Sequence, residues 1–212
     1  MAFADGPMQA SFPTMALLDW ITPESGLSLE GQGVRLRAPR WRDYPAWSDL
    51  RRASRDFLQP WEPVWPEDDL ERGAYRRRLA TYVREMDAGA AYPFYIFRTS
   101  DEALVGGVTI SNVRRGVAQM CTIGYWMGQP YAGQGYMTSA LRPLVGFALG
   151  ELALHRVEAA CLPDNHASHR LLLKSGFQQE GLARAYLKIN GSWRDHLLFG
   201  MIASGPPVRV DV

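Results

Sequence analysis

The stretch that decides the fold is GYWMGQPYAGQGYMTSAL, residues 124–141, in which a strand leads through a glycine-rich turn into a helix. Glycines at Gly133 and Gly135 let backbone N–H groups converge without Cβ atoms in the way. The helix N-terminus adds a partial positive charge, so the segment predicts an anion site suited to a pyrophosphate. Thr138 and Ser139 add hydroxyl donors, and the alternative is an ordinary tight turn before a helix.

Two other phosphate-binding motifs are excluded by direct inspection. A Walker loop requires GxxxxGK[ST], and the chain contains no Gly-Lys pair. A dinucleotide fingerprint requires GxGxxG, but Thr138 stands where the glycine after Gly133 and Gly135 belongs. The loop therefore belongs to neither of these classes of nucleotide-binding protein.

The periodicity on either side of this stretch predicts a mixed α/β fold. Short turns between the strands that precede it indicate an antiparallel meander, and Asn190-Gly191 indicates a hairpin near the C-terminus. We predict a central mixed, mostly antiparallel sheet of about seven strands, flanked by about four helices. The predicted strands are Val34–Arg37, Phe94–Arg98, Leu104–Ser111, Gln119–Met127, Arg156–Cys161, Gln178–Tyr186 and Trp193–Ile202. The predicted helices are Arg42–Arg55, Asp68–Met86, Gly135–Leu152 and Asn165–Lys174.

The two ends of the chain lack this regular pattern. We expect residues 1–32 to be an N-terminal extension, residues 33–203 the folded domain and residues 204–212 a C-terminal tail. Within the extension, residues 15–21 cluster their apolar side chains as a short helix would. Met8 or Met15 would serve equally well as the natural start.

Composition excludes several classes of protein. With 47% hydrophobic and 21% charged residues in 212, a single domain with a packed core is expected. The net charge of +1 argues against direct nucleic-acid binding. No apolar run approaches the roughly 18 residues of a membrane span, so we expect a cytoplasmic protein without membrane contact. Cys121 and Cys161 lack the spacing of a zinc site, so we expect no metal and two reduced core thiols.

Residues 124–141 resemble the acyl-CoA-binding motif of the GNAT acetyltransferases, and residues 165–177, NHASHRLLLKSGF, resemble the segment that follows it. The tail, with Glu180-Gly181 and then YLKINGSWRDH at residues 186–196, is similar to the ribosomal-protein alanine N-acetyltransferases. Within that RimJ/RimL branch it is closest to the RimJ type, and FLQPW at residues 57–61 agrees with this. The similarity covers about residues 33–202.

One departure from the family pattern concerns the glycine loop. The pattern is usually [QR]-x-x-G-x-[GA], and here Ala132, Gly135 and Met137 occupy its three defined places. Only the central glycine matches. Losing the polar side chain at Ala132 leaves the backbone donors in place, so we expect anion binding to survive.

The resemblance implies acetyl-CoA as cofactor and a V-shaped opening between the strand ending at Met127 and the strand Arg156–Cys161. Pantetheine would pair there with the backbone of Tyr125, Trp126 and Met127. Asn165 would contact the cofactor or cap the helix that follows, and both roles are compatible. The amides expected to hold the pyrophosphate are those of Ala132, Gly133, Gln134, Gly135, Tyr136, Met137 and Thr138.

Three residues are candidates for proton transfer. Ser168 lies one helical turn after Asn165 and would protonate the leaving thiolate, with Tyr186 as an alternative donor. Glu180 is the candidate base, as is Glu158, and each is also a candidate for a solvated or paired carboxylate. We assign no catalytic role to the nearby histidines, which are His155, His166 and His169.

The acceptor is a primary amine, and three functions remain open. The family resemblance implies the N-terminal α-amine of a protein such as a ribosomal protein; the alternatives are a small-molecule amine or a non-catalytic CoA-binding module. A peptide α-amine has a pKa of roughly 8, so about a tenth is neutral at pH 7 and a weak base suffices. Trp61 and Trp65 either wall the acceptor groove or fill the core. A monomer and a homodimer are both compatible with the sequence.

Overall fold

A computed structural model of the chain describes residues Gly26–Ala203. This range includes eight strands and five helices. The strands are β1 (Ser28–Gly31), β2 (Val34–Arg37), β3 (Tyr92–Arg98), β4 (Leu104–Arg114), β5 (Met120–Met127), β6 (Arg156–Cys161), β7 (Gln178–Ile189) and β8 (Ser192–Ile202). The helices are α1 (Tyr44–Ala53), α2 (Arg55–Leu58), α3 (Arg72–Asp87), α4 (Tyr136–Leu149) and α5 (His166–Lys174). The helix predicted for residues 15–21 lies outside the described residues.

All eight strands form one sheet in the order β1-β2-β3-β4-β5-β6-β8-β7. Six of the seven neighbouring pairs are antiparallel, and only β5 and β6 run parallel. A parallel pair requires a long crossover, which α4 provides. The predicted mixed α/β fold is confirmed. The additional strand, β1, is four residues long and has Leu29 as its one large apolar residue, so its pattern was too short to predict a strand.

The sheet separates two hydrophobic layers because successive strand residues point to opposite faces. One layer lies under α4 and α5, and we call this side of the sheet the α4/α5 face. The other lies under α1 and α3 and includes Trp47, Tyr75 and Phe97; we call this side the α1/α3 face. Cys121 and Cys161 are buried in the first layer and are not joined in a disulfide, as predicted.

Two predicted helix boundaries differ from the structure for local reasons. The predicted helix Arg42–Arg55 is interrupted at Ser54, whose buried Oγ accepts a hydrogen bond from the amide of Gln129 at 2.9 Å. The second predicted helix begins at Arg72 rather than Asp68, because Asp68 and its neighbour Asp69 bond arginines of α3 through their side chains. Between Gly26 and Ala203, no helix has the length and apolar character needed to cross a membrane.

The layer on the α1/α3 face offers a stability test at Trp47. Its side chain is 2% exposed and its ring centroid lies 4.9 Å from that of Tyr75. We expect Trp47→Ala to lower the free energy of unfolding by about 3–5 kcal/mol, because it leaves a large cavity. Trp193→Ala, at a side chain that is 65% exposed, is the matched control and should change it by less than about 1 kcal/mol. Equal losses in urea unfolding would contradict this packing.

Candidate functional site

The sheet opens where β5 and β6 stop pairing. The two parallel strands are paired from Met120 opposite Arg156 to Ile123 opposite Ala159. Beyond that point, the last four residues of β5 continue against β4, and the last two of β6 continue against β8. The C-terminal ends therefore diverge into a V-shaped opening, as the family resemblance implied. Because strands direct backbone groups to both sides, part of the N–H and C=O groups along each edge face this opening.

The β5 edge of the opening is the segment Tyr125–Met127, which pairs with β4 on its other side. Its position depends on two glycines in β4. A Cβ on Gly106 would lie 2.5 Å from the carbonyl oxygen of Trp126, and one on Gly107 would lie 2.6 Å from its indole nitrogen. Larger residues would therefore displace the strand. An extended ligand with amide groups can take the place of the missing strand along this edge.

The glycine loop follows β5 directly and ends at the first turn of α4. Gly133 and Gly135 have φ of 75° and 87°, a left-handed conformation that other residues adopt only with strain. The space beside both glycines is open, with nothing within 4 Å of an added Cβ. Ser139 makes the first helical hydrogen bond, to the carbonyl of Gly135, so the amides of Tyr136–Thr138 have no partner within the helix. Such amides fit a phosphate group.

The remaining loop residues shape this site. The amide of Ala132 was expected to hold the pyrophosphate. It instead donates a hydrogen bond to the carbonyl of Gln129 at 3.2 Å, within the loop. Gln134 closes the loop through Nε2, which donates to the carbonyl of Pro130 at 2.7 Å. Met137 is buried and anchors α4 to the core.

A guanidinium from another strand lies beside the loop, which itself has no charged residue from 128 to 138. Arg98 at the end of β3 lies 5.3 Å from the ring of Tyr131 and donates to the hydroxyl of Tyr136 at 3.4 Å. It is also paired with Asp101. The sequence reading missed Arg98 because contact between it and the loop depends on strand order, which has no local signal.

Ser168 and Asn165 lie together at the start of α5, as predicted. The Asn165 side chain accepts a hydrogen bond from the Ser168 amide at 3.0 Å, so its helix-cap role is present. The Ser168 hydroxyl lies 2.7 Å from that of Tyr125, on the β5 edge of the opening. This hydrogen bond joins α5 to β5 across the V. The sequence reading gave Tyr125 only a backbone role and missed its hydroxyl.

The protonation of this pair follows from its burial. Burial raises the pKa of Tyr125 well above its usual range, and the hydrogen bond with Ser168 offsets this only in part. The phenol therefore stays protonated and can donate to Ser168. Burial likewise raises the pKa of the nearby Cys161 thiol, so that cysteine is not poised as a nucleophile. The Cys121 thiol, deeper in the layer, has its pKa raised to about 11, also by burial.

Glu180 lies apart from the Ser168 pair. Its carboxylate is paired with Arg156, whose Nη1 donates to it at 2.9 Å, and Arg156 also bonds Glu158. The hydrogen bond from Arg156 lowers the pKa of Glu180. Arg156 and Glu180 both lie beside Gly200, which pairs with Glu158 of β6. At Glu158, β5 and β6 are still paired, so Glu180 lies away from the open end of the V. This ion pairing gives Glu180 a structural role and argues against its use as the base.

Tyr186, the alternative donor, lies instead near the open end of the V. Its ring stacks edge-on against that of His196, with centroids 5.7 Å apart. His196 is opposite Ala183 and immediately precedes Leu197, the partner of the last residue of β6. Sequence analysis does not select His196, because a histidine within a strand is more often a buried structural residue than a catalytic one.

The two tryptophans proposed for the groove have different environments. Trp65 is 8% exposed, and the guanidinium of Arg51 lies 4.1 Å from its ring. Its indole N–H donates to Glu62, which also accepts two hydrogen bonds from Arg51. Trp65 therefore fills the interior. Trp61 is 36% exposed and is available to line a surface groove.

Depressions and metal-type clusters elsewhere do not compete with this opening. A depression of about 620 Å³ near β1 and β2 is lined by several arginines, of which Arg35 pairs with Glu102 and Arg37 with Asp43. These pairs hold the β2 region together. Over Gly26–Ala203, no three His, Cys, Asp or Glu side chains are arranged to hold a metal ion.

Comparison with known proteins gives one family. Residues 34–178 match the family described as acetyltransferase (GNAT) domain. The chain is 35% identical over 174 residues to a probable N-acetyltransferase, YjcK, of Bacillus subtilis, covering 82% of the chain and 96% of that protein. It is 36% identical over 158 residues to the [ribosomal protein uS5]-alanine N-acetyltransferase of Escherichia coli, covering 74% and 81%.

A solved structure agrees with this similarity. Mycobacterium smegmatis RimJ in complex with CoA-disulfide superposes with a TM-score of 0.77 at 35% identity, covering 84% of this chain and 86% of that one.

The loop geometry makes a prediction at two glycines. Gly135→Ala should lower the free energy of unfolding by about 1 kcal/mol and weaken binding of inorganic pyrophosphate, because alanine disfavours φ of 87°. Gly146→Ala is the matched control within α4, where an added Cβ meets nothing. It should raise the free energy of unfolding by about 0.5–1 kcal/mol. Urea unfolding and calorimetry give both quantities. If Gly135→Ala binds pyrophosphate as tightly as the wild type, the loop is not part of the anion site.

Proposed function

The chain belongs to the GNAT acetyltransferase family, and from that premise we propose that it acetylates the N-terminal α-amine of a protein, with acetyl-CoA as donor. The observation that carries the proposal is the β5–β6 opening, with the Ser168–Tyr125 hydroxyl pair at its edge. The similarity to an enzyme named for ribosomal protein uS5 alanine supports a protein acceptor, in particular a ribosomal protein.

The residues along the opening would hold the cofactor through their backbone. The backbone of Tyr125–Met127 would hold the pantetheine amides, and the unpartnered amides of Tyr136–Thr138 would hold the pyrophosphate. Asn165 orients the start of α5 by capping it. When bound, acetyl-CoA supplies an acetyl thioester whose carbonyl carbon accepts an amine.

Ser168 is the proposed acid. It holds a proton on Oγ, which it can give to a departing thiolate, while the Tyr125 hydroxyl donates a hydrogen bond to Ser168 Oγ. A thiol pKa of about 8.5 makes the thiolate a fair leaving group, so the assistance required is modest. Tyr125 acts through Ser168 and is a positioning residue.

The face of the opening away from α5 suits an extended acceptor. A Cβ on Gly124 would meet nothing within 4 Å, so the α1/α3 face is open where β5 leaves β6. The tip of the β7–β8 hairpin borders this face, because the amide of Asn190 donates to the carbonyl of Glu62 at 2.9 Å. Trp61, exposed in the same loop as Glu62, adds an aromatic wall. An open groove favours a peptide end over a small enclosed amine.

The acceptor assignment is tested by release of free CoA from acetyl-CoA. Peptides that begin with Ala or Ser and copy ribosomal N-termini should support turnover, and the same peptides blocked at the α-amine should not. Activity confined to small amines such as polyamines would instead assign a small-molecule acetyltransferase. Acetyl-CoA binding without any turnover would favour a binding module and contradict the proposal.

The hydroxyl pair is tested by removing one oxygen at a time. Ser168→Ala should lower kcat about tenfold or more and leave KM for acetyl-CoA nearly unchanged. The reason is that Ser168 Oγ gives its proton only as the thiolate leaves, not when acetyl-CoA binds. Tyr125→Phe keeps the ring and should lower kcat by a smaller factor. Ser175→Ala, at the other end of α5, removes a buried hydroxyl without a hydrogen-bond partner in the described chain and serves as the control. Turnover by Ser168→Ala equal to that control would contradict the acid role.

A further inference from the structure

We infer that His196 accepts the proton of the acceptor amine through Nε2, at a site that it forms with Tyr186 on the α1/α3 face. The inference rests on the proposed function and adds the acceptor-side residue that neither Glu180 nor Glu158 supplies. His196 and Tyr186 lie on the β7–β8 hairpin, C-terminal to residues 34–178 of the family model.

The direction of the His196 side chain follows from the alternation of β8. Leu197, Phe199 and Met201 pack into the layer on the α4/α5 face. Successive side chains of a strand point to opposite faces, so His196 and Leu198 point away from that layer. His196 therefore lies on the α1/α3 face. It lies at the open end of the V, since the next residue, Leu197, is opposite Cys161 at the end of β6. Glu180 is beside Gly200, about 14 Å further along β8 at roughly 3.4 Å per residue.

The ring of His196 is fixed in the tautomer that a base requires. Its Nδ1 lies 3.0 Å from the carbonyl oxygen of Arg194, and a carbonyl can only accept, so Nδ1 carries the proton. In the neutral ring, Nε2 then presents a lone pair. Because the side chain is only 3% exposed, the ring is held rigidly by its surroundings.

A β-bulge in β7 aims Tyr186 at this ring. Between the pairs Ala183–His196 and Leu187–Arg194, three residues of β7 oppose the single residue Asp195. Ala185, in the middle, has φ of 46°, a strain on the order of 1 kcal/mol that the surroundings must offset.

The side chain of Asp195 supplies that offset. It accepts a hydrogen bond from the Ala185 amide at 2.8 Å and so holds the bulge in place. Bulges of this kind commonly re-aim a side chain next to a reactive site. Here the bulge brings the Tyr186 ring edge-on against His196 while 45% of Tyr186 remains exposed.

The carboxylates nearest to His196 on β8 and β6 and after β6 already accept hydrogen bonds, which leaves the imidazole as the available proton acceptor. On β8, Arg194 bonds Asp164 at 3.0 Å and Asp195 bonds the bulge. On β6, the nearest carboxylate facing the same side is Glu158, which is bonded to Arg156. On β7 the ring in contact with His196 is that of Tyr186, and Arg184 is the other titratable residue of the bulge.

The proton balance of the reaction is complete with these residues. The amine nitrogen forms a bond to the acetyl carbon while the carbon–sulfur bond breaks. The proton lost by nitrogen goes to His196 Nε2, which later releases it to solvent. The departing sulfur takes its proton from Ser168 Oγ, on the opposite face of the sheet, and Ser168 regains a proton from solvent. One proton therefore leaves at His196 and one returns at Ser168.

The test compares His196→Gln with His155→Gln, an exposed histidine outside the site, over pH 6.5–9.5. At pH 7, kcat/KM for an unblocked peptide should fall about 100-fold in His196→Gln and stay unchanged in the control. The deficit should shrink as pH rises, because an α-amine of pKa about 8 loses its own proton. CoA affinity should match the wild type, whereas the unfolding midpoint should fall modestly because the buried hydrogen bond to Arg194 is lost.

Each outcome separates the two proposals. A wild type inactive on peptides contradicts the proposed function, whereas an active wild type with a small or pH-independent deficit in His196→Gln overturns only the role of His196. If that variant does not fold, ¹⁵N NMR of the wild-type imidazole decides. A protonated Nδ1 with an unprotonated Nε2 at neutral pH is expected, and protonated Nε2 would overturn the inference.

Discussion

The loss of pairing between β5 and β6 after Ile123 and Ala159 is the constraint on which the rest of the structure depends. The two strands are parallel and joined by α4, so their C-terminal ends reach the same edge of the sheet. The glycine loop leaves one end and α5 begins just after the other. Their separation thus places an unpaired backbone edge, a helix start with amides unpartnered within the helix and a hydroxyl pair around one opening.

The opening differs on its two faces, and we propose that this difference divides the chemistry. On the α4/α5 face, Ser168 and Tyr125 form a buried hydroxyl pair suited to giving a proton to sulfur. On the α1/α3 face, Gly124 leaves space and the hairpin carries Tyr186 and His196. Donor and acceptor can therefore approach from opposite sides of one sheet. The contact between Asn190 and Glu62 fixes the hairpin against the loop that carries Trp61.

The sequence predicted the fold through local signals. Strands Val34–Arg37 and Arg156–Cys161 match their predicted bounds because their apolar patterns are bounded by clear turn residues. The Asn165 cap was predictable because capping is a short-range interaction. β1 was missed because its four residues contain one large apolar side chain.

The parts of the site that depend on distant contacts were less predictable. Ser168 followed from its spacing after Asn165, but its partner Tyr125 lies 43 residues away and has no pattern linking it to α5. Glu180 was chosen as a base because a free carboxylate can serve, whereas strand register places it beside Arg156. The bulge at Ala185 depends on a bond to Asp195 across a hairpin, and the sequence alone does not encode where that bulge falls.

The most direct test of the account is a crystal structure of the chain with CoA bound. We expect the pantetheine to lie between the diverging ends of β5 and β6, hydrogen-bonded to Tyr125–Met127, with the pyrophosphate on the amides of Tyr136–Thr138 and the sulfur next to Ser168. CoA bound elsewhere, such as in the arginine-lined depression near β2, or a sulfur distant from Ser168, would contradict it.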